Sequence, residues 1–362
     1  MCIRDSTDTA RGDDPVSVFC GDTLFVGDVG RPDLFPGIAN ELAGKLYHSL
    51  HDKLLKLPDY CEVYPAHGAG SLCGRAMGAK RSSTIGYEKR YNQILSVGKD
   101  EFIRGLTTDM PPAPDHFSRC SRINGAGPKL LKEISAPAPL TPNQFKKVIT
   151  DEHSIVLDIR DYDSFGGQHI EGAFNIGLAG NFATFSGWIL PHDKNIYLVT
   201  DNNAQVPEAV SWLRKVGLDN VSGYLEGGMK SWVIFGYPFT STPQISSVKL
   251  HDLLTGKEEF ALVDVRSAAE FEKQHIKGAV NIPVPDLRTR FNELKQDMKT
   301  FVMCSTGNRS SMGVSILEQK GFKNLFNLPG GMMGYSAAGF VKECPVCFTP
   351  HGPHFLGFKV SL

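Results

Sequence analysis

Apolar residues in this chain fall into short runs separated by mixed segments, and that alternation predicts strands and helices in turn. Between residues 140 and 340 the runs have strand length, as in Val156-Leu157, Leu262-Val263 and Phe301-Val302-Met303. The intervening segments carry apolar residues at helical spacing. Apolar strands alternating with amphipathic helices predict mostly parallel α/β sheets covered by helices on both faces. Before residue 140 the pattern is weaker. Val16-Ser17-Val18-Phe19 and Glu62-Val63-Tyr64 read as strands, and Thr84 to Leu95 as a helix entered through a Ser-Ser-Thr cap. Met1 to Asp14 is polar and without a period. Proline clusters at Pro111-Pro112-Ala113-Pro114 and Ala136-Pro137-Ala138-Pro139 break regular structure, and the second marks a domain boundary.

The stretch after that boundary is written twice. Val156-Leu157-Asp158-Ile159-Arg160, Phe165, Gln168-His169-Ile170, Gly172-Ala173 and Asn175-Ile176 recur as Leu262-Val263-Asp264-Val265-Arg266, Phe271, Gln274-His275-Ile276, Gly278-Ala279 and Asn281-Ile282. Farther on, Gly227-Gly228-Met229 recurs as Gly330-Gly331-Met332. The expected organisation is an N-terminal domain over 1–125, a linker over 126–139, two copies over 140–240 and 245–342, and a tail over 343–362. Residues kept in both copies read as scaffold. Asp158 and Asp264 are expected to pair with arginine or cap a helix, and His169 and His275 to hold a shared turn.

The difference between the copies carries the chemistry. In the second, the strand Phe301-Val302-Met303 runs into Cys304-Ser305-Thr306-Gly307-Asn308-Arg309, and a helix from Ser310 to Gly321 leaves it. A loop between a strand end and a helix start turns backbone N–H groups toward the sulfur, and the helix dipole adds positive potential. Both favour thiolate. Gly307 permits the tight turn and Arg309 supplies a cation, so Cys304 and Arg309 are the catalytic candidates. Ser305, Thr306, Gly307, Asn308 and Ser310 are expected to bind substrate, the first four mainly through main-chain donors. The first copy has Leu198-Val199-Thr200-Asp201-Asn202-Asn203-Ala204-Gln205 at this place, without cysteine or arginine. It is expected to be catalytically silent and to serve packing, spacing or docking.

Composition narrows the partners. With 362 residues, 41% hydrophobic and 21% charged, the chain reads as two or three globular domains. A net charge of −1 gives no electrostatic case for nucleic acid or an anionic membrane. No apolar run reaches transmembrane length. Eight scattered cysteines suit a reducing compartment, so a cytoplasmic location is expected.

The Asp-x-Arg element, the His-Ile-x-Gly-Ala-x-Asn-Ile run, the cysteine loop and the Gly-Gly-Met turn together resemble rhodanese domains. Four residues separate Cys304 from Arg309, the short loop of single-domain sulfurtransferases; cysteine phosphatases have one more. The resemblance implies transfer of sulfane sulfur from thiosulfate or a low-molecular-weight persulfide through a Cys304 persulfide, with thiols, cyanide or sulfite as acceptors and no cofactor at that site.

In the N-terminal part, Cys20-Gly21-Asp22 and Pro65-Ala66-His67-Gly68 place an acid and an imidazole at strand ends beside glycine, as a metal site on a sheet rim requires. These stretches resemble the later metal motifs of the metallo-β-lactamase superfamily, and more closely its persulfide dioxygenase branch and the rhodanese fusions of that branch. The resemblance implies the C-terminal part of an αββα fold. Asp22 would be the carboxylate ligand of Fe(II), or of zinc, with His67 near the metal and not required to bind it. The family's His-x-His-x-Asp-His motif is not matched, because no histidine precedes His48. The chain is therefore expected to be N-terminally truncated and to hold iron weakly, and its full-length parent to be an Fe(II) persulfide dioxygenase of sulfide and glutathione persulfide metabolism.

Alternatives stay open at this stage. They are a hydrolase of the hydroxyacylglutathione hydrolase kind, a phosphatase or arsenate reductase, and a non-enzymatic sulfur carrier or sensor. Cys73 could accept a persulfide near the metal or be structural. Cys344 and Cys347 with His351 and His354 could bind zinc, form a redox pair or belong to a plain tail. A homo-oligomer is compatible with all of these.

Overall fold

The chain divides after Gly125 into two units. The computed structural model describes residues 4–35, 37–68, 77–108, 113–256 and 258–341. Pro111, Pro112, Cys73, Cys344, Cys347, His351 and His354 lie outside the described residues, and so do the readings placed on them.

Among its described residues the first unit has six short strands: β1 (Arg4–Thr7), β2 (Pro15–Gly21), β3 (Leu24–Phe25), β4 (Asp28–Val29), β5 (Glu62–Pro65) and β6 (Ser83–Thr84). A sheet ordered β1-β2-β5-β6 has its central pair, β2 and β5, parallel. The unpatterned start departs from the reading. Arg4–Thr7 is an edge strand, Asp5 opposite Val18, held by backbone bonds that leave no trace in a side-chain pattern. Alternation along β2 and β5 turns Val18, Cys20 and Val63 into a core with Leu46, Leu50, Phe102 and Leu106. On the opposite face Phe19 stacks on Tyr64, ring centroids 5.3 Å apart. The helix expected to reach Leu95 stops at Tyr91. Thr84 caps it as predicted, accepting from Tyr87 N, but Asn92 turns out of helical conformation. Its amide nitrogen donates to Asp28 O and to the carboxylate of buried Glu88, which holds the backbone there.

The second unit contains both copies of the repeat. In the first, β7 (Ala138–Leu140), β8 (Ser154–Asp158), β9 (Phe174–Asn175), β10 (Asn195–Val199) and β11 (Val221–Leu225) form a sheet ordered β7-β11-β10-β8-β9, every pair parallel. The proline cluster read as linker ends inside this sheet. Pro139 lies in edge strand β7 opposite Tyr224, and an edge needs donors on one side alone. In the second copy, β12 (Ala261–Asp264), β13 (Val280–Asn281), β14 (Thr300–Met303) and β15 (Leu325–Asn327) form a parallel sheet ordered β13-β12-β14-β15.

The repeated residues are scaffold in both copies. Arg160 bonds the Asp158 carboxylate and Gln168 O, and Arg266 bonds Asp264 and Gln274 O in the same way. The side-chain amides of Asn175 and Asn281 each donate to two carbonyls of the Asp-x-Arg element. His169 and His275 place Nδ1 2.7 and 2.8 Å from the carbonyls of Phe165 and Phe271, the shared turn expected of them.

Leu157, Ile159, Phe182 and Leu213 of the first copy share one continuous core with Val263, Val302, Met312 and Ile316 of the second. The helix leaving the cysteine loop lies in the middle of this core. It spans Asn308–Gln319, two residues earlier than expected, because Gly307 already acts as its N-cap. The flanking helices were expected to be amphipathic, yet Ser310 through Leu317 are all buried here, since the first copy covers the face that would otherwise meet water. Its serines find partners on the spot. Ser311 Oγ donates to Asn175 Oδ1 at 2.6 Å, and Ser315 Oγ accepts from Asn175 N at 3.1 Å. His169 Nε2 lies 3.1 Å from Glu318 Oε2 on the same helix.

Candidate active site

Cys304 follows directly on β14, whose last residue Met303 stands opposite Asp264. That puts the thiol at the carboxyl end of a parallel sheet, where loops converge and backbone donors are free. Cys304 is 1% exposed. Gly307 N donates to Sγ at 3.1 Å, and Ser310 Oγ lies 3.5 Å from the sulfur and 3.0 Å from Gly307 O. The loop is therefore closed around the sulfur from the helix side.

Two features keep it closed. Gly307 has φ of +115°, which side chains resist, and a Cβ there would stand 3.2 Å from Tyr162 Cζ and 3.3 Å from Pro329 Cα. Behind the loop, the Gly-Gly-Met turn takes its carbonyls. Gly330 N bonds Thr306 O, Met332 N bonds Cys304 O and Met333 N bonds Ser305 O, at 2.9, 2.7 and 3.1 Å. A Cβ on Gly331 would fall 2.2 Å from Cys304 O, so this glycine is fixed by the approach of the two backbones.

Arg309 has a carboxylate partner that the sequence reading does not name. Its guanidinium grips Glu270 with two bonds of 2.7 Å and bonds Ser305 Oγ at 2.8 Å, while Ser305 Oγ donates to Glu270 at 3.1 Å. The cation is fixed, but a carboxylate matches it. Arg309 holds Glu270 well below its ordinary value of 4.5, at about 2, against an opposing push from burial. Ser305 likewise acts through its side chain, in this bridge. Thr306 and Asn308 line a cavity beside the loop, together with Arg309. Glu270 and Tyr162 were missed in the sequence. The first left a signal, because the copy without cysteine has Ser164 at the matching position, next to the repeated phenylalanine.

Register identifies the counterpart loop. Val199 stands opposite Asp158 as Met303 does opposite Asp264, so Thr200 occupies the place of Cys304. Gly228 backs Thr200 O as Gly331 backs Cys304 O. Thr200 Oγ1 accepts from Asn202 N at 3.1 Å and meets Gln205 Oε1 at 2.8 Å. Gln205 stands where the second copy has Arg309, and Asp201 lies 3.4 Å from Arg160. A network of neutral side chains and one acid replaces the sulfur cradle.

In the first unit, parallel β2 and β5 bring Asp22 and His67 to one rim, Nε2 to Oδ1 3.2 Å, both half-exposed. Among the described residues no group of three side chains could hold a metal ion. One carboxylate and one imidazole do not fit a two-histidine, one-carboxylate iron site. Nearby Cys20 is buried, and burial pushes its thiol up to about 11 while the carbonyl of Leu24 takes its hydrogen. It is a structural thiol.

Comparison with known proteins agrees with this division. The rhodanese-like domain family matches residues 141–234 and 246–338. A sulfurtransferase of Allochromatium vinosum is 30% identical over 102 residues, 28% of this chain and 95% of its own. The mitochondrial persulfide dioxygenase ETHE1 of Mus musculus is 33% identical over 104 residues, 29% of this chain and 36% of its own. Of two further relatives from Bacillus subtilis, YrkF and YqhL, the chain spans 52% and 60%. The solved metallo-β-lactamase of Staphylococcus aureus is similar in fold at 33% identity and a TM-score of 0.52, over 61% of this chain and 62% of that one. The chain thus joins a unit of metallo-β-lactamase fold to two rhodanese-like domains and belongs to the rhodanese-like domain family.

Proposed function

We propose that the second rhodanese copy transfers sulfane sulfur through Cys304. The observation that carries this is the contrast between two loops of one fold. The Cys304 loop keeps a sulfur cradle of Gly307 N–H and Ser310 hydroxyl, and its counterpart has Thr200 in the thiol's place. The thiolate of Cys304 attacks the outer sulfur of thiosulfate; the S–S bond breaks, its electron pair leaves with sulfite, and Cys304–S–S⁻ forms. A persulfide donor R–S–SH delivers the same sulfur and leaves as a thiolate. The acceptor's nucleophile then attacks the outer sulfur, and the electron pair returns to Sγ. Sulfur moves without net oxidation in either step, and covalent capture divides one transfer into two easier ones. The similarity to persulfide dioxygenases supports low-molecular-weight persulfides as donors beside thiosulfate.

Mass spectrometry after exposure to thiosulfate or glutathione persulfide tests the reading. A gain of about 32 Da on Cys304 is expected, absent in Cys304→Ser. Its absence from the unaltered chain overturns the proposal. Repeated turnover with cyanide or a thiol separates an enzyme from a sulfur carrier, which would load once.

A further inference from the structure

A cavity of about 750 Å³ lies beside the Cys304 loop. Thr306, Asn308 and Arg309 line it from the loop, and most of the remaining wall comes from the first rhodanese copy. Such a volume exceeds the need of a small inorganic sulfur anion and suits an organic molecule. Two kinds of surface face it from the first copy. Ile159, Leu178, Phe182 and Phe185 are apolar, and Asp161 and Asp201 are exposed carboxylates.

The charge balance of the wall sets its selectivity. Among the described residues it contains two cations, Arg160 and Arg309, and each is matched by a carboxylate behind the wall. Asp158 takes Arg160 through both oxygens, and Glu270 takes Arg309 through two bonds. Asp161 and Asp201 then set the sign of the field inside. Asp161 Oδ1 accepts from Ser164 N at 2.7 Å, and Asp201 Oδ2 accepts from Arg160 at 3.4 Å, a long bond. A carboxylate has about four acceptor sites, so both keep capacity for a ligand.

We infer that this cavity binds the organic thiol that takes sulfur from Cys304, and that it selects thiols carrying an ammonium group on a short apolar stem: aminothiols and small peptide thiols. The inference rests on the sulfur-transfer reading and extends it to the acceptor. The ammonium lies against Asp161 and Asp201, the stem against the phenylalanines, and the sulfur toward the loop. The acceptor thiolate RS⁻ attacks the outer sulfur of Cys304–S–SH, the S–S bond breaks, and R–S–SH and the Cys304 thiolate result. No oxidant is needed. The first copy, without chemistry of its own, thereby becomes the recognition half of the site.

The test compares cysteamine with 2-mercaptoethanol, which replaces the ammonium by a hydroxyl, as acceptors from sulfur-loaded protein. Asp161→Asn with Asp201→Asn keeps both side chains' hydrogen-bonding shape and removes the charge. The expected result is a fall of about tenfold in the rate ratio of cysteamine to mercaptoethanol, the loss of one charge-assisted contact. An unchanged ratio in the folded variant overturns the inference. Calorimetric titration of unloaded protein with S-methylcysteamine reads the cavity without sulfur chemistry. Binding lost in the double variant supports the site even where Cys304 fails to load, a failure that falls on the sulfur-transfer reading instead; no binding to the unaltered chain overturns the site.

Discussion

Arg309 and Glu270 form a two-bond pair, both bonds 2.7 Å, that closes the Cys304 loop onto the helix Ala268–Lys273 of the same domain. Ser267 caps that helix and bonds Glu270 in return, so one carboxylate ties helix start, arginine and Ser305 together. The pair positions the loop. The bonds around the sulfur itself come from Gly307 and Ser310.

Replacing Glu270 by Gln leaves Arg309 without its charge partner and frees the loop. Sulfur uptake at Cys304 is expected to fall about tenfold, and Arg309→Lys to fall similarly because an ammonium cannot make both bonds. Stability changes in a pH-dependent way. A carboxyl whose folded value lies below its unfolded one stabilises fully above the unfolded value and loses that contribution as pH falls through the folded one. For Glu270 the window runs from its ordinary 4.5 down to about 2. The pair is worth about 1 kcal/mol after screening, since Glu270 is 37% exposed. Urea midpoints of parent and Glu270→Gln should differ at pH 7 and converge as pH approaches 2; a gap that widens on acidification refutes the assignment.

Gly307→Ala tests the cradle at a backbone position. A Cβ at φ of +115° is strained, and it would press on Tyr162 and on the Pro329 backbone. A cost of about 1–3 kcal/mol is expected, read as a fall of several degrees in Tm. Because the same residue presents the N–H to Sγ, persulfide formation should drop about 10–100-fold in protein that is still folded. Normal uptake rates at reduced Tm would show that the amide does not act on the sulfur.

Much of this site was legible because repetition separates roles. Asp158, Arg160, His169 and Asn175 recur in both copies and prove to be scaffold, while Cys304 and Arg309 occur once. What stayed hidden has physical reasons. Nothing in the sequence marks Ser311 and Ser315; the packing of the first copy makes them buried partners of Asn175. Arg309 reads as a fixed cation of the loop, but what fixes it, Glu270, lies 39 residues away and outside the loop motif. Edge strands β1 and β7 depend on backbone pairing and carry a polar or proline-rich sequence.

The rim of the first unit makes a prediction about metal. Asp22 and His67 offer one oxygen and one nitrogen, 3.2 Å apart, where a mononuclear iron site takes three protein donors. Purified chain is expected to carry iron or zinc far below one per molecule, and dialysis against a chelator to leave Tm and Cys304 loading unchanged. Near-stoichiometric metal by elemental analysis, lost in Asp22→Ala, would show that further donors complete the site.

The counterpart loop supplies the sharpest test of what a sulfur cradle requires. Thr200→Cys puts a thiol at the matching strand end, but its surroundings remain those of the first copy. Gln205 stands in for Arg309, Ser164 for Glu270, and Asp201 sits one residue on, where negative charge opposes both thiolate and anionic donor. Thr200→Cys in a Cys304→Ser background is therefore expected to take up no sulfur from thiosulfate by mass spectrometry. Adding Asp201→Ser, Asn203→Gly, Gln205→Arg, Val206→Ser and Ser164→Glu should restore cradle and pair, and with them a measurable adduct at position 200. If the single substitution loads as readily as Cys304, the thiol's position at the sheet end suffices, and the ion pair plays no part in catalysis.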